Sequence, residues 1–515
     1  MTRTAPVATP GPAGRRIGSS APRTAAIVNL GCKVNRSEVE AAARLLRSGG
    51  VRIADADAAD TPADLVLVNT CTVTGVADQK SRQVVRRVRR ASPDARLIVT
   101  GCSVQVDPER FAAIDPEAIL VGNDGKADLL DELADLLGDR IGPDGALGGP
   151  LPTLSGVNAL PIDGIADGRS SEERTRAFVK VQDGCSFHCT YCIIPRARGP
   201  ERSLDPEIVL ADVRRALAAG HREVVLTGIN VGTYDGGRSE RGPRGRRLRP
   251  LLTLAGLVHR ILAETDVERI RLSSIEPQHV DDELLETWAG VGADRCMPHL
   301  HVPLQSGDDA VLRRMGRRYD TGTYARTVER ARVAIPGVAI HADVIAGFPT
   351  EDDASFERTV GFLSDLAPAG LHVFRYSARP DTPAVRMAGQ VPEPVRRERA
   401  ARLLELAAVA RARHASGRVG GTAAVLVEGS LGDGRWVGHA EDHQPVALPA
   451  TGPDLRNAIV RCDLDRADPL APDRLLGRVV EVSTGRPIRP VLPILARRGP
   501  ASVAPSGSSV EGVAS

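Results

Sequence analysis

Lysine is nearly absent from this chain of 515 residues. Lys33, Lys80, Lys126 and Lys180 are the only four among 67 basic residues, an arginine bias of the kind that genomic base composition produces. No apolar run reaches membrane-spanning length. The first 22 residues lack the apolar core of a signal peptide and read as a disordered tail. There is no G-x-G-x-x-G, so a bound dinucleotide is not indicated. A net charge of only +2 confines any nucleic-acid surface to local patches. Aromatic residues make up 3% of the chain. Past residue 416 the only one is Trp436, so RNA contact there must rest on the backbone more than on base stacking.

Eight cysteines are present, but not at the spacing of a small secreted scaffold. Long cysteine-poor tracts point to a reducing, cytoplasmic setting. Three of the eight crowd into Gly184-Cys185-Ser186-Phe187-His188-Cys189-Thr190-Tyr191-Cys192, directly after an apolar run, Ala177–Gln182, that reads as a strand. Three thiolates on one loop suit a soft metal centre. A cuboidal four-iron cluster held by three thiolates keeps one iron open for a small molecule. The plainer alternative is a zinc site or unrelated buried thiols. Zinc ribbons usually pair two C-x2-C knuckles, and no second knuckle exists.

From residue 23 to 137, strand-like runs at Ala25–Leu30, Asp64–Asn69, Arg96–Thr100 and Ala118–Val121 alternate with helical patterns at Arg36–Arg47, Ala77–Arg90 and Lys126–Leu137. That alternation implies an open parallel sheet. Cys32, Cys71 and Cys102 each fall just past the end of one of the first three strands. Open parallel sheets bind ligands outside those ends, so the three thiols should meet in one crevice. Lys80, Arg82, Arg86, Arg87, Arg89 and Arg90 share the second helix, which either faces RNA phosphates or is a solvated face.

Residues 138–172 read as a linker. From 173 to 415, six strand candidates alternate with helices: Phe178–Gln182, Glu223–Thr227, Arg269–Ser273, His299–Leu304, Val338–Ile345 and Leu371–Tyr376. They suggest a partial (β/α)6 barrel, whose chemistry sits at the C-terminal strand ends. His299 and His301 share one strand face, for which metal ligation is the weaker reading beside a cysteine-based site and packing the favoured one. Cys296 and Cys462 read as plain thiols. Glu276 at a strand end is either a ligand contact or a satisfied carboxylate. The insertion 238–249 carries six arginines that either attract phosphates or belong to a variable surface loop. Five short strands within 416–486 suggest a small β-barrel of the oligonucleotide-binding kind, and 487–515 reads as a tail.

The cysteine loop, with Tyr191 before its last cysteine, resembles that of the radical S-adenosylmethionine (SAM) enzymes. The run GCSFHCTYCIIPRARG from Gly184 to Gly199 resembles the methylthiotransferase branch. The words LGCKVN around Cys32, NTCTVT around Cys71 and TGC ending at Cys102 are similar to that branch's N-terminal domain. The C-terminal strands resemble its RNA-binding TRAM domain. The resemblance implies two 4Fe–4S clusters, one on Cys185, Cys189 and Cys192 that also takes SAM, and an auxiliary one on Cys32, Cys71 and Cys102 that carries the sulfur to be donated. It implies SAM contacts among the strand-end residues, for which Gly228, Ser274, Gln305 and Asp343 are the candidates. It implies tRNA, through its anticodon stem-loop, as substrate, together with an electron donor such as flavodoxin or ferredoxin, a sulfur donor and no membrane. Lys33-Val34 and Thr72-Val73-Thr74 look most like the branch that modifies N6-threonylcarbamoyladenosine, and Arg196, Arg198 and Arg375 would suit a threonylcarbamoyl carboxylate. The rivals are action on isopentenyladenosine or on a ribosomal-protein aspartate, and an iron–sulfur RNA-binding or redox protein without turnover.

Overall fold

The computed structural model describes residues 22–54, 62–137, 175–237, 250–450 and 454–483. Apart from Pro22, the expected tails, the linker and the insertion 238–249 lie outside the described residues. Among those described, no helix is long and apolar enough to cross a membrane.

The first sheet holds five parallel strands: β1 (Thr24–Asn29), β2 (Arg52–Ala54), β3 (Leu65–Thr70), β4 (Arg96–Gly101) and β5 (Ile119–Val121), in the order β2-β1-β3-β4-β5. The short edge strand β2 has no counterpart in the sequence reading, because three residues carry too little periodicity to register. Every residue of β3 is buried. Leu65 and Leu67 pack on one face against the helices Lys33–Ser48 and Lys126–Leu137, while Val66 and Val68 pack on the other against the helix Gly75–Ala91. Strand order reverses between β1 and β3, and in such sheets that point opens the crevice. Cys32 and Cys71 leave those two strands, and Cys102 leaves the next.

The barrel strands are β6 (Arg176–Lys180), β9 (Glu223–Thr227), β10 (Arg269–Leu272), β11 (His299–His301), β12 (Ala339–Ala346) and β13 (Gly370–Arg375). Parallel ladders join β6, β9 and β10, and β11, β12 and β13. Isolated parallel bridges, Ile270 to Cys296 and Ser274 to His301, join the two groups. The result is the expected open barrel of six parallel strands in chain order. Strand β11 ends three residues earlier than expected. Pro303, with no N–H to donate, stands where the ladder would continue.

Alternate residues separate two environments. Val179, Leu226, Ile270, Leu300, Ala342, Val344 and Leu371 pack outward under the helices. The intervening residues face the lumen, where charged and imidazole side chains predominate rather than the branched aliphatics that fill a closed eight-stranded barrel. A two-residue hairpin, β7 (Gln182–Asp183) with β8 (Arg202–Ser203), pinches the neck of the cysteine loop.

The helix Glu393–Arg418 leads into β14 (Thr422–Ser430), β15 (Trp436–His439), β16 (Pro445–Leu448), β17 (Ile459–Asp468) and β18 (Ala471–Ser483), a closed barrel in the order β14-β15-β16-β18-β17. Trp436 is half-buried against that barrel's own core. This small barrel caps the bottom of the large one. Arg176 pairs with Glu428 at 2.7 Å. Arg271 donates to the Glu441 carbonyl at 3.0 Å, and Asn457 to the Gly220 carbonyl at 2.8 Å. Beneath the joint, buried Glu223 accepts from Arg271 Nε at 2.9 Å and lies beside Arg269 at 3.8 Å. Glu223→Ala leaves those guanidinium groups buried without their carboxylate. It should cost about 3–5 kcal/mol, read as a lower urea midpoint for the barrel and its cap, whereas a surface change such as Glu329→Ala should not move that midpoint.

Candidate active site

The first cysteine triad sits on the loop between β7 and β8. Gly184 starts it at φ +69°, and a Cβ there would lie 2.0 Å from the Pro200 carbonyl oxygen, so only glycine fits. The Cys185 N–H donates to the Gly199 carbonyl at 3.0 Å, and the Cys192 N–H to the Cys189 carbonyl at 3.0 Å. The far side of the loop is anchored by Thr190, whose N–H and hydroxyl donate to the carbonyls of Met315 and Arg314. Donors aim at the sulfurs. The Phe187 N–H stands 3.3 Å from Cys185 Sγ, and Arg317 Nη1 stands 3.3 Å from Cys189 Sγ. Burial, reinforced by the Cys189 thiolate charge, pushes the Cys192 thiol up to about 12, and burial also raises Cys185.

Arg317 was not legible in advance, because one arginine among many carries no signal. It is nearly buried, pairs with Glu276, and reaches the Tyr191 and Tyr319 hydroxyls at 3.4 and 3.0 Å. Glu276 is therefore a paired carboxylate beside the cysteine loop. His188 is exposed. Among the other strand-end candidates, Gly228 lies against Gln182, where a Cβ would meet the carbonyl oxygen at 2.8 Å. Gln305 adopts φ +73°, a strained conformation of the sort found at ligand clamps. Ser274 and Asp343 lie deeper, both engaged with His301, at 3.2 and 2.6 Å.

The second triad forms in the crevice of the first sheet. Gly101, at φ +104°, turns the chain so that Cys102 begins a helix immediately after β4. A Cβ there would lie 2.5 Å from the Thr70 carbonyl oxygen. Asn123 Nδ2 stands 3.4 Å from Cys102 Sγ, and the Asn35 carboxamide oxygen 3.6 Å from it. Burial, then the charges of Cys32 and Cys102, pushes the Cys71 thiol up to about 12, and burial raises Cys32. All six thiols are free. Cys296 and Cys462 are buried elsewhere.

Arg198 joins the two triads. From sequence it is one of three arginines compatible with a substrate carboxylate, and the structure buries it wholly between the domains. It donates to Asp183 Oδ1 at 2.9 Å, to Glu38 Oε1 at 3.0 Å and to the Asn35 side chain. Asp183 also accepts from the Gly184 N–H at 2.8 Å, next to Cys185. Asn35 lies three residues after Cys32 and touches Cys102. Lys126 and Lys180 also pair with Glu38. Burial alone would raise the Glu38 carboxyl, but Arg198, Lys126 and Lys180 outweigh it and hold it at about 2. Glu38 interrupts the apolar stripe of its helix between Val34 and Ala42, the one sequence signal that could have exposed it. The other two arginines lie nearer the surface, where Arg196 pairs with Asp381 and Arg375 with Glu393. A second seam runs from Arg379 to the Thr72 hydroxyl and from the Gly75 N–H to Ser377 Oγ at 2.8 Å. On the basic helix, Arg82 and Arg89 are tied to Asp78 and Asp115, while Lys80, Arg86 and Arg90 are exposed.

Residues 179–363 match the Radical SAM superfamily, and residues 24–122 match the Uncharacterized protein family UPF0004. The threonylcarbamoyladenosine tRNA methylthiotransferase of Bacillus subtilis is 39% identical over 74% of this chain and 80% of its own length. The Chlamydia pneumoniae protein of the same name is 35% identical over 88% of this chain and 97% of its own. The tRNA-2-methylthio-N(6)-dimethylallyladenosine synthase of Sorangium cellulosum is 34% identical over 92% of this chain and 99% of its own.

Because Glu38 is held near 2 against an ordinary 4.5, its contribution to docking the first domain is complete above about 4.5 and is lost as pH falls toward 2. Glu38→Gln should weaken that docking by about 3–5 kcal/mol at neutral pH, measured by energy transfer between dyes on the two domains. The difference from the parent should stay constant from pH 7 to 5 and shrink below about 4.5.

Proposed function

The chain belongs to the radical SAM methylthiotransferase family, and on that footing we infer that it converts N6-threonylcarbamoyladenosine at position 37 of tRNA to its 2-methylthio derivative. It uses SAM and two 4Fe–4S clusters. When bound, these supply the radical, the sulfur and the methyl group. The observation that carries the reading is the pairing of two free thiol triads at one interdomain joint.

The residues suit thiolate-held clusters. Burial disfavours a bare thiolate at every one of the four thiols it raises, so a metal must compensate the charge. N–H donors already face the sulfurs, as they do around cluster ligands. Three buried cations, Arg198, Lys126 and Lys180, face two carboxylates, Glu38 and Asp183. The surplus positive charge lies beside Cys32 and Cys102, where an anionic ligand set would balance it.

On this reading Cys185, Cys189 and Cys192 hold the cluster that takes SAM, and Cys32, Cys71 and Cys102 hold the auxiliary one. Arg317 supports Cys189 and fixes Glu276. Gly228 and Gln305 offer backbone to SAM at the mouth, while Ser274 and Asp343 serve the polar lumen below it. The lumen itself, open on one side, admits the flipped nucleoside. The threonylcarbamoyl substrate follows the names of the relatives at 34–39% identity, and the wording after Cys32 and Cys71 supports it. The exposed Lys80, Arg86 and Arg90 and the C-terminal barrel are the candidates for tRNA phosphate contact. A flavodoxin- or ferredoxin-like electron donor, a sulfur donor and a reducing cytoplasm complete the setting.

Deleting the gene should erase 2-methylthio-threonylcarbamoyladenosine from total tRNA and spare the isopentenyl counterpart, by nucleoside mass spectrometry. The variant with Cys32, Cys71 and Cys102 changed to Ala should fail to restore the product, although the purified variant still cleaves SAM. Loss of the isopentenyl product instead would move the substrate to the other branch. Restoration by the variant would remove the auxiliary triad from sulfur transfer.

A further inference from the structure

We propose that the barrel lumen carries a binding site for a single divalent first-row transition ion, held by His301, Asp343 and His372. The three residues stand on three adjacent parallel strands, β11, β12 and β13. The register sets Asp343 directly against His372, and His301 against His341, two residues below Asp343 on the same strand face. All three point into the lumen, because their neighbours Leu300, Ala342, Val344 and Leu371 pack outward under the helices.

One ligand atom from each side chain lies within 4.8 Å of the others. His301 Nε2 and His372 Nδ1 stand 2.6 and 3.1 Å from the same oxygen, Asp343 Oδ1. Ligand atoms bound about 2.0–2.1 Å from a zinc-sized ion lie roughly 3 Å apart. The two imidazole nitrogens lie within 4.8 Å of each other, so an ion that replaces the shared proton draws them in by side-chain rotation on strands that fix the backbone. Two imidazoles and one carboxylate select a first-row transition ion over magnesium or calcium, which prefer all-oxygen shells.

Ser274 Oγ stands 3.2 Å from His301 Nδ1. With the hydroxyl accepting, Nδ1 carries the proton and Nε2 is left free to ligate, the outer-shell support that metal-binding histidines usually have. His301 and Asp343 are 7% and 14% exposed and His372 is 35% exposed, so the site is reachable from the lumen. His299, which shares the strand face of His301, does not join the site. It stacks on His443 and meets His341 edge-on at the lower joint, with ring centroids 4.9 and 4.7 Å away, and so packs as its strand position suggested. The proposal is independent of the substrate assignment and of both cysteine triads.

The test is zinc X-ray absorption on the intact, cluster-loaded protein after incubation with zinc and gel filtration, since the zinc edge does not see cluster iron. The expected result is stoichiometric zinc in a nitrogen and oxygen shell at about 2.0–2.1 Å with imidazole outer-shell scattering. His372→Gln and Asp343→Asn should lose it, and Ser274→Ala should bind it roughly 10–100-fold more weakly. Unchanged iron content and cluster absorption in these variants show that the chain has folded. Sulfur neighbours near about 2.3 Å, no retained zinc, or a nitrogen and oxygen shell that survives in both ligand variants would overturn the site. The first outcome would mean capture by cysteines and the second a carboxylate that merely shares protons with two imidazoles.

Discussion

A guanidinium group with no exposed surface is costly unless every neighbour answers its charge. Arg198 meets that condition only where two domains touch. Glu38 comes from the first domain and Asp183 from the neck of the cysteine loop, and Asn35 adds a neutral acceptor beside Cys102. Neither domain alone holds both carboxylates. The favourable arrangement of this one side chain therefore exists only when the first domain sits on the barrel mouth, with the two thiol triads on either side of the same joint. Lys126 and Lys180, half of the chain's lysines, stand in the same cluster. A compact ammonium fits there beside a carboxylate that Arg198 already occupies from the other side.

The two ends of the large barrel are used differently. At the mouth, the neck hairpin, Gly184 and the contacts of Thr190 hold three thiols on a loop whose ends are hydrogen-bonded. At the bottom, arginines near the starts of β6 and β10 reach into the small C-terminal barrel, so that barrel is fixed to the large one through its strand starts, away from the mouth. Between them the inner face carries Glu223, His299, His301, His341, Asp343 and His372, while the aliphatic residues that alternate with them face the helices. An open barrel with such an interior has room for a polar ligand, unlike the packed interior of a closed one.

Much of this organisation was legible from residue order. The cysteine positions after β1, β3 and β4, the six barrel strands and the five strands of the C-terminal barrel all follow from alternation of apolar runs with turn residues. What escaped was long-range pairing. Glu38 was visible only as one polar residue in an apolar stripe, and nothing local tells that its partners lie 88 and 160 residues away. Arg198 sits in the loop motif, yet its side chain turns inward to Glu38 rather than outward to a substrate. Arg317 was hidden by the abundance of arginine. His301 and Asp343 lie on different strands, and only the register between β11 and β12 brings them together.

The claim that Arg198 makes one active centre of two thiol sites is tested most directly by the ratio of methylthiolated nucleoside to cleaved SAM in an Arg198→Met variant with both clusters loaded. The account predicts that SAM cleavage stays within about twofold of the parent while product falls by more than about tenfold, because misplacing one reacting partner by an ångström costs that much or more. An unchanged ratio, with product and cleavage preserved or lost together, would contradict it.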